Sequence, residues 1–119
     1  MAGKMNREGI VVRRGDSFDI LFHFRQNDGS DLDISGCSLK MCVQNGGDGS
    51  KVWELDGEIA DAAAGKARLK LTPQQTKIAV GDYETDIELT LKNGDVHTIF
   101  PADITRTGLL RITKEVTEG

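Results

Sequence analysis

Four carboxylates at alternate positions, Asp82, Glu84, Asp86 and Glu88, are the densest cluster of ionisable groups in the sequence. In an extended chain, residues two apart project from one face at roughly 7 Å spacing, so these four form an acidic ladder. Like charges so arranged repel, mildly in water and more strongly once desolvated. The ladder therefore calls either for cations on adjacent strands or for a basic partner. Lys40 is one such cation, with Lys66, Arg68 and Lys70 as further candidates. Trp53, the only tryptophan, can stack a sugar, but an indole more often fills a core or covers a sheet edge. Asp82, Glu84, Asp86, Glu88 and Trp53 together make up the candidate interaction surface.

The remaining reactive side chains do not converge on a reaction. Asp31-Leu32-Asp33-Ile34-Ser35-Gly36 places oxygens at positions one, three and five of a calcium loop and glycine at six. The bidentate carboxylate such a loop needs at position twelve is here Cys42. The segment reads instead as polar turns whose side chains bond their own backbone. His23 and His97 lack the spacing partners of a zinc set, and the sequence contains no nucleophile elbow, phosphate loop or dinucleotide fingerprint. No catalytic, cofactor-binding or metal-ligating residue is assigned, and the chain is expected not to be an enzyme.

The elements that carry these residues are extended. In residues 17–25, Phe18, Ile20, Phe22 and Phe24 share one face against Asp19, Leu21, His23 and Arg25. A helix would scatter both sets around its axis. Three of the four phenylalanines lie here, which predicts a strand at the centre of the core. The same alternation recurs in residues 39–44, in 66–71, and most clearly in 82–92, where Tyr83, Thr85, Ile87, Leu89 and Leu91 oppose the acidic ladder. Weaker strands are expected at 10–14, 52–55, 58–60, 96–100 and 109–113. Glycine-containing turns separate the runs, and Asn93-Gly94 is the strongest hairpin signal. Pro101 lacks a backbone donor and marks an edge, bulge or strand exit. Thr72-Pro73-Gln74-Gln75 combines a cap, proline at the first helical position and glutamine three residues after the cap; it predicts one helical turn near 73–78, with Thr72 as its cap.

Cys37 and Cys42 lie five apart on an expected strand and so on opposite faces. Their separation of roughly 16 Å in extended chain is beyond disulfide reach, so two reduced thiols are expected.

Seven to nine short strands with almost no helix predict an all-β, immunoglobulin-like antiparallel sandwich. Tyr83, directly after the corner Val80-Gly81-Asp82, has the position of a tyrosine corner. Residues 1–9 are expected to be a flexible arm and 10–117 a single domain. The chain has 119 residues, 38% hydrophobic and 29% charged, as ordinary globular domains do. No apolar run approaches a membrane span or a secretory leader. A net charge of −4 argues against general binding to nucleic acid or anionic membrane.

These segments resemble a phage family. They are Arg14-Gly15-Asp16-Ser17-Phe18-Asp19-Ile20, Leu32-Asp33-Ile34-Ser35-Gly36-Cys37, Lys51-Val52-Trp53, the run from Ala64 to Thr72, that from Gly81 to Leu89, and Gly108-Leu109-Leu110-Arg111-Ile112-Thr113. In this order they are similar to the N-terminal domain of tailed-phage baseplate upper proteins and to related small phage and prophage virion proteins. The similarity runs from about Arg14 to Thr117. It implies a non-enzymatic structural or docking component of a virion, made in the bacterial host cytoplasm and associated with baseplate or tail. Its partners would be other phage structural proteins or further copies of itself. In baseplate upper proteins the domain opens a longer chain; a stand-alone domain would suit a small tail, neck or head component. The alternative is a glycan-binding or adhesin-type immunoglobulin-like module using Trp53 and the acidic ladder.

Overall fold

Alternation along each segment fixes which side chains turn inward, and the computed structural model shows how those faces meet. It describes residues 3–6, 9–101 and 107–115. In chain order the elements are β1 (Gly3–Met5), β2 (Gly9–Arg13), β3 (Phe18–His23), β4 (Ser38–Asn45), β5 (Lys51–Asp56), β6 (Glu58–Asp61), β7 (Lys66–Leu71), α1 (Pro73–Thr76), β8 (Gly81–Thr90), β9 (Val96–Phe100) and β10 (Gly108–Thr113). Ten strands thus lie among the described residues, against the seven to nine expected.

The strands form two sheets. The larger runs β1-β2-β10-β8-β4-β5, with β9 also paired to β8; the smaller runs β3-β7-β6. Ile10, Val12, Met41, Val43, Ile87, Leu110 and Ile112 from the first sheet meet Ile20, Ala67, Leu69 and Leu71 from the second in one buried cluster. The fold is an all-β sandwich. Its pairings are antiparallel except that β2 runs parallel to β10, a departure from the fully antiparallel arrangement expected.

Several expectations are met in detail. The Asn93-Gly94 turn closes the β8–β9 hairpin, with the Gly94 amide donating to the Leu91 carbonyl at 2.9 Å. α1 is a single turn; the Gln75 side chain accepts from the Thr72 amide at 2.8 Å and also from the Thr72 hydroxyl. The Tyr83 hydroxyl donates to the Ala79 carbonyl at 2.5 Å, closing the corner ahead of β8. Both cysteines are free. Cys42 lies in β4, whereas Cys37 precedes that strand.

Two expectations are corrected. Gly3–Met5, placed in the flexible arm, is an edge strand paired in register with β2; residues 1, 2, 7 and 8 of that arm, and 102–106 and 116–117 of the expected domain, lie outside the described residues. β3 is an edge strand of the smaller sheet and not the centre of the core. Its Phe18 and Phe22, with the following Phe24, are only partly buried. The centre of the larger sheet belongs to β8, with β4 along one side and β10 and β9 along the other.

That second side of β8 has an unusual construction. β9 ends with Phe100 opposite Ile87, and β10 begins with Gly108 opposite Thr85. Both run in the same direction along the same edge, so they are two halves of one strand line. Residues 101–107 intervene where a continuous strand would need only one residue, opposite Asp86. Pro101 therefore marks a strand exit.

Gly65 illustrates how tightly the ends of the sandwich are closed. It is buried with φ of +71°, and a Cβ there would stand 2.4 Å from the Phe24 carbonyl and 2.6 Å from that of Leu32.

Candidate functional site

The acidic ladder lies on the outer face of β8, alternating with the buried Tyr83, Thr85, Ile87 and Leu89. Because β8 is central, its neighbours decide how each carboxylate is compensated. Asp82 faces Arg111 of β10 directly across the ladder. The guanidinium donates to both carboxylate oxygens, at 2.7 and 3.1 Å, and holds Asp82 below the usual carboxylate range. Glu84 accepts a hydrogen bond from the Gln44 amide at 3.0 Å.

Asp86 and Glu88 are different: among the described residues, no cation lies within ion-pair distance of either. Burial pushes the Asp86 carboxyl up, and the charge of Glu88 adds to the effect. Lys40 is in register with Glu88 but turns the other way, to Glu54 on β5 at 3.9 Å. Glu54 also takes Lys51 at 2.7 Å and is lowered by it. Lys66, Arg68 and Lys70, the other expected counter-ions, lie on β7 in the opposite sheet and cannot reach the ladder. That expectation is corrected: among the described residues the cation paired with the ladder is Arg111, on Asp82.

Beside Asp86, where the edge line of β9 and β10 is interrupted, the outer face carries a hollow of about 230 Å³. Cys42, Gln44, Glu84, Asp86, Thr98 and Gly108 contribute to its wall. Two carboxylates, Glu84 and Asp86, are among its lining residues, which suits an ammonium or guanidinium group. The Cys42 thiol is pushed up by burial and then by the charges of Asp86 and Glu54, so at neutral pH it is protonated and a poor nucleophile.

Trp53 is not part of this face. It stands opposite the buried Val43, packs against the core, and its indole N–H donates to the Gln75 carbonyl at 2.9 Å. The acidic ladder and the indole therefore occupy opposite sides of the same sheet, and the composite site anticipated from the sequence does not form. His23 and His97 lie on β3 and β9, in different sheets. His23 Nε2 is 2.7 Å from Asp31 Oδ1. In the calcium-like segment, Asp33 accepts from the Ser35 amide at 2.9 Å and its hydroxyl at 2.6 Å, as a self-bonded turn requires. Asp28 with Ser30 and Asp48 with Ser50 repeat this arrangement. Among the described residues no group of three or more His, Cys, Asp or Glu could hold a metal ion. No helix among them is long and apolar enough to cross a membrane.

Sequence reading missed Arg111, Gln44, Thr98 and Cys42 as neighbours of the ladder. Each lay on an expected strand, but which strands flank β8 is set by pairing across tens of residues. Pro101 was the one local sign of the interruption that makes the hollow. In comparisons with known proteins, no protein-family model and no curated protein sequence matches the chain.

Proposed function

We propose that the chain is a non-enzymatic structural or docking component of a tailed-phage or prophage virion, associated with its tail or baseplate and working through protein–protein contacts. The sequence resemblance over residues 14–117 motivates the reading. The observation that carries it is the outer face of β8, where Asp86 and Glu88 are held on the central strand of the larger sheet with no cation against them among the described residues. A carboxylate that is partly desolvated and uncompensated gains more from a partner's cation than a fully hydrated one does.

The frame supports an immunoglobulin-like reading as well. β10-β8-β4-β5 over β3-β7-β6 matches the G-F-C-C′ and B-E-D order of variable-type sandwiches, and the Tyr83 corner sits at the start of the strand corresponding to F. The glycan-binding alternative gains nothing from the inward position of Trp53.

Mass spectrometry of purified particles from the source provides the test. The expected result is this chain at a fixed ratio to other tail proteins. Its consistent absence from particles overturns the reading.

A further inference from the structure

The central strands of the two sheets carry opposite charge on their outward sides. On β8, Glu84, Asp86 and Glu88 project outward in sequence, and Asp82 beyond them is already neutralised by Arg111. On β7, the central strand of the smaller sheet, Lys66, Arg68 and Lys70 project outward between the buried Ala67, Leu69 and Leu71. Both triplets have a two-residue repeat, so each spans roughly 13 Å from first charge to last at the rise of extended chain. Arg68 has one exposed partner, Glu58 at 3.1 Å. Lys66 and Lys70 have no carboxylate within ion-pair distance among the described residues, although Asp61 stands opposite Lys66 and Asp19 opposite Lys70 in register. Three acids on one central strand and three bases on the other thus have equal number and equal spacing, and among the described residues only Arg68 of the six is held in an ion pair.

We propose that the acidic face of one copy docks on the basic face of a second copy, Glu84-Asp86-Glu88 against Lys66-Arg68-Lys70. This names the partner of the docking face described above, yet it stands on charge geometry and does not require membership of a virion. Leu21 reinforces the choice of occupant. It is 75% exposed, lies opposite Arg68 in register at the middle of the basic face, and a stacked copy would cover it. The hollow beside Asp86 gives one long cationic side chain a place to leave bulk water.

The two surfaces are different patches on one molecule, so the contact is heterologous. Such contacts propagate into open stacks or rings instead of stopping at a two-fold dimer. Exposed ion pairs are individually weak and screened by salt, so association is expected to be modest at the level of one contact and strongly dependent on ionic strength.

Sedimentation velocity on the purified chain tests this. At low ionic strength the average mass should rise with concentration past that of a dimer, and in about 0.5 M salt, where the Debye length shrinks to a few ångströms, it should return to the monomer. Reversing the basic face (Lys66→Glu, Arg68→Glu, Lys70→Glu) or the acidic face (Glu84→Lys, Asp86→Lys, Glu88→Lys) should each abolish association. An equimolar mixture of the two reversed proteins should restore it, because every contact then pairs opposite charges again. Where a reversal prevents folding, judged by circular dichroism, Lys66→Gln with Lys70→Gln neutralises the face without repulsion and should lower the association constant at least tenfold. A wild-type chain that stays monomeric at low salt overturns the proposal, as does a closed dimer or an association indifferent to both sets of substitutions. None of those results bears on whether the chain is found in particles, so this inference and the virion reading fail separately.

Discussion

β3 and β8 are the two segments with the cleanest alternation, and they end in opposite situations. β3 and the Phe24 that follows it carry three of the four phenylalanines and lie at an edge, where Phe22 and Phe24 stack at 5.8 Å but are only partly buried. β8 carries four acids and lies at the centre of the larger sheet. Period-two alternation states which side of a strand faces oil; it does not state how many strands lie on either flank. Hydrophobic richness is a poor guide to centrality. An edge strand covers the rim of a core, and large flat aromatics do that with few neighbours.

Substitutions along the two strands should separate position in the sheet from hydrophobic content. The largest effect is expected in β8: Ile87→Ala removes a fully enclosed side chain and should cost about 2–5 kcal/mol in urea denaturation. In β3, Phe22→Ala deletes more atoms from a half-buried site and should cost only about 1–2 kcal/mol, below the ~3–5 typical of enclosed phenylalanine. If Phe22→Ala proves the costlier of the two, β3 is the energetic centre after all. Tyr83→Phe keeps the ring and deletes the bond to the Ala79 carbonyl; a loss of about 1 kcal/mol is expected, measurable as a lowered denaturation midpoint with unchanged m-value.

The smallest effect concerns the pH dependence of β8. The Asp86 carboxyl is raised above its ordinary value of 3.8 by burial and then by Glu88. A carboxyl raised on folding favours the native state below that ordinary value, and this advantage is lost as pH rises through the folded value. Asp86→Asn should therefore flatten the stability–pH curve above pH 3.8 and leave the fold equal or slightly more stable at neutral pH. The exposed turn aspartates Asp28, Asp33 and Asp48 are lowered by their serine partners, so they act with the opposite sign: their contribution is present above the ordinary value and lost as pH falls. Replacing all three with alanine should steepen nothing near pH 5 and weaken the native state mildly at pH 7.

Much of this fold was legible because its determinants are local. Asn93-Gly94 fixes its hairpin within four residues, Thr72-Pro73 its helical turn, and Tyr83 its corner within five. The sides of β3, β4, β7 and β8 followed from side-chain period alone. What stayed hidden depends on long-range pairing. Arg111 meets Asp82 across 29 positions in sequence, and the assignment of Lys66, Arg68 and Lys70 to the wrong face came from not knowing that β7 belongs to the other sheet. Trp53 was placed with the acids because nothing local reveals that it pairs with Val43, a residue of the buried side of β4.

The divided edge of β8 has a practical consequence. Phe100 and Gly108 are each anchored to β8 on their own, so the number of residues between them is uncoupled from the alignment of either half. Lineages of this protein could lengthen, shorten or exchange that stretch without disturbing the scaffold, and an engineer could splice in a foreign peptide there. The molecule thus has a built-in port for variation, positioned next to the acidic face of β8.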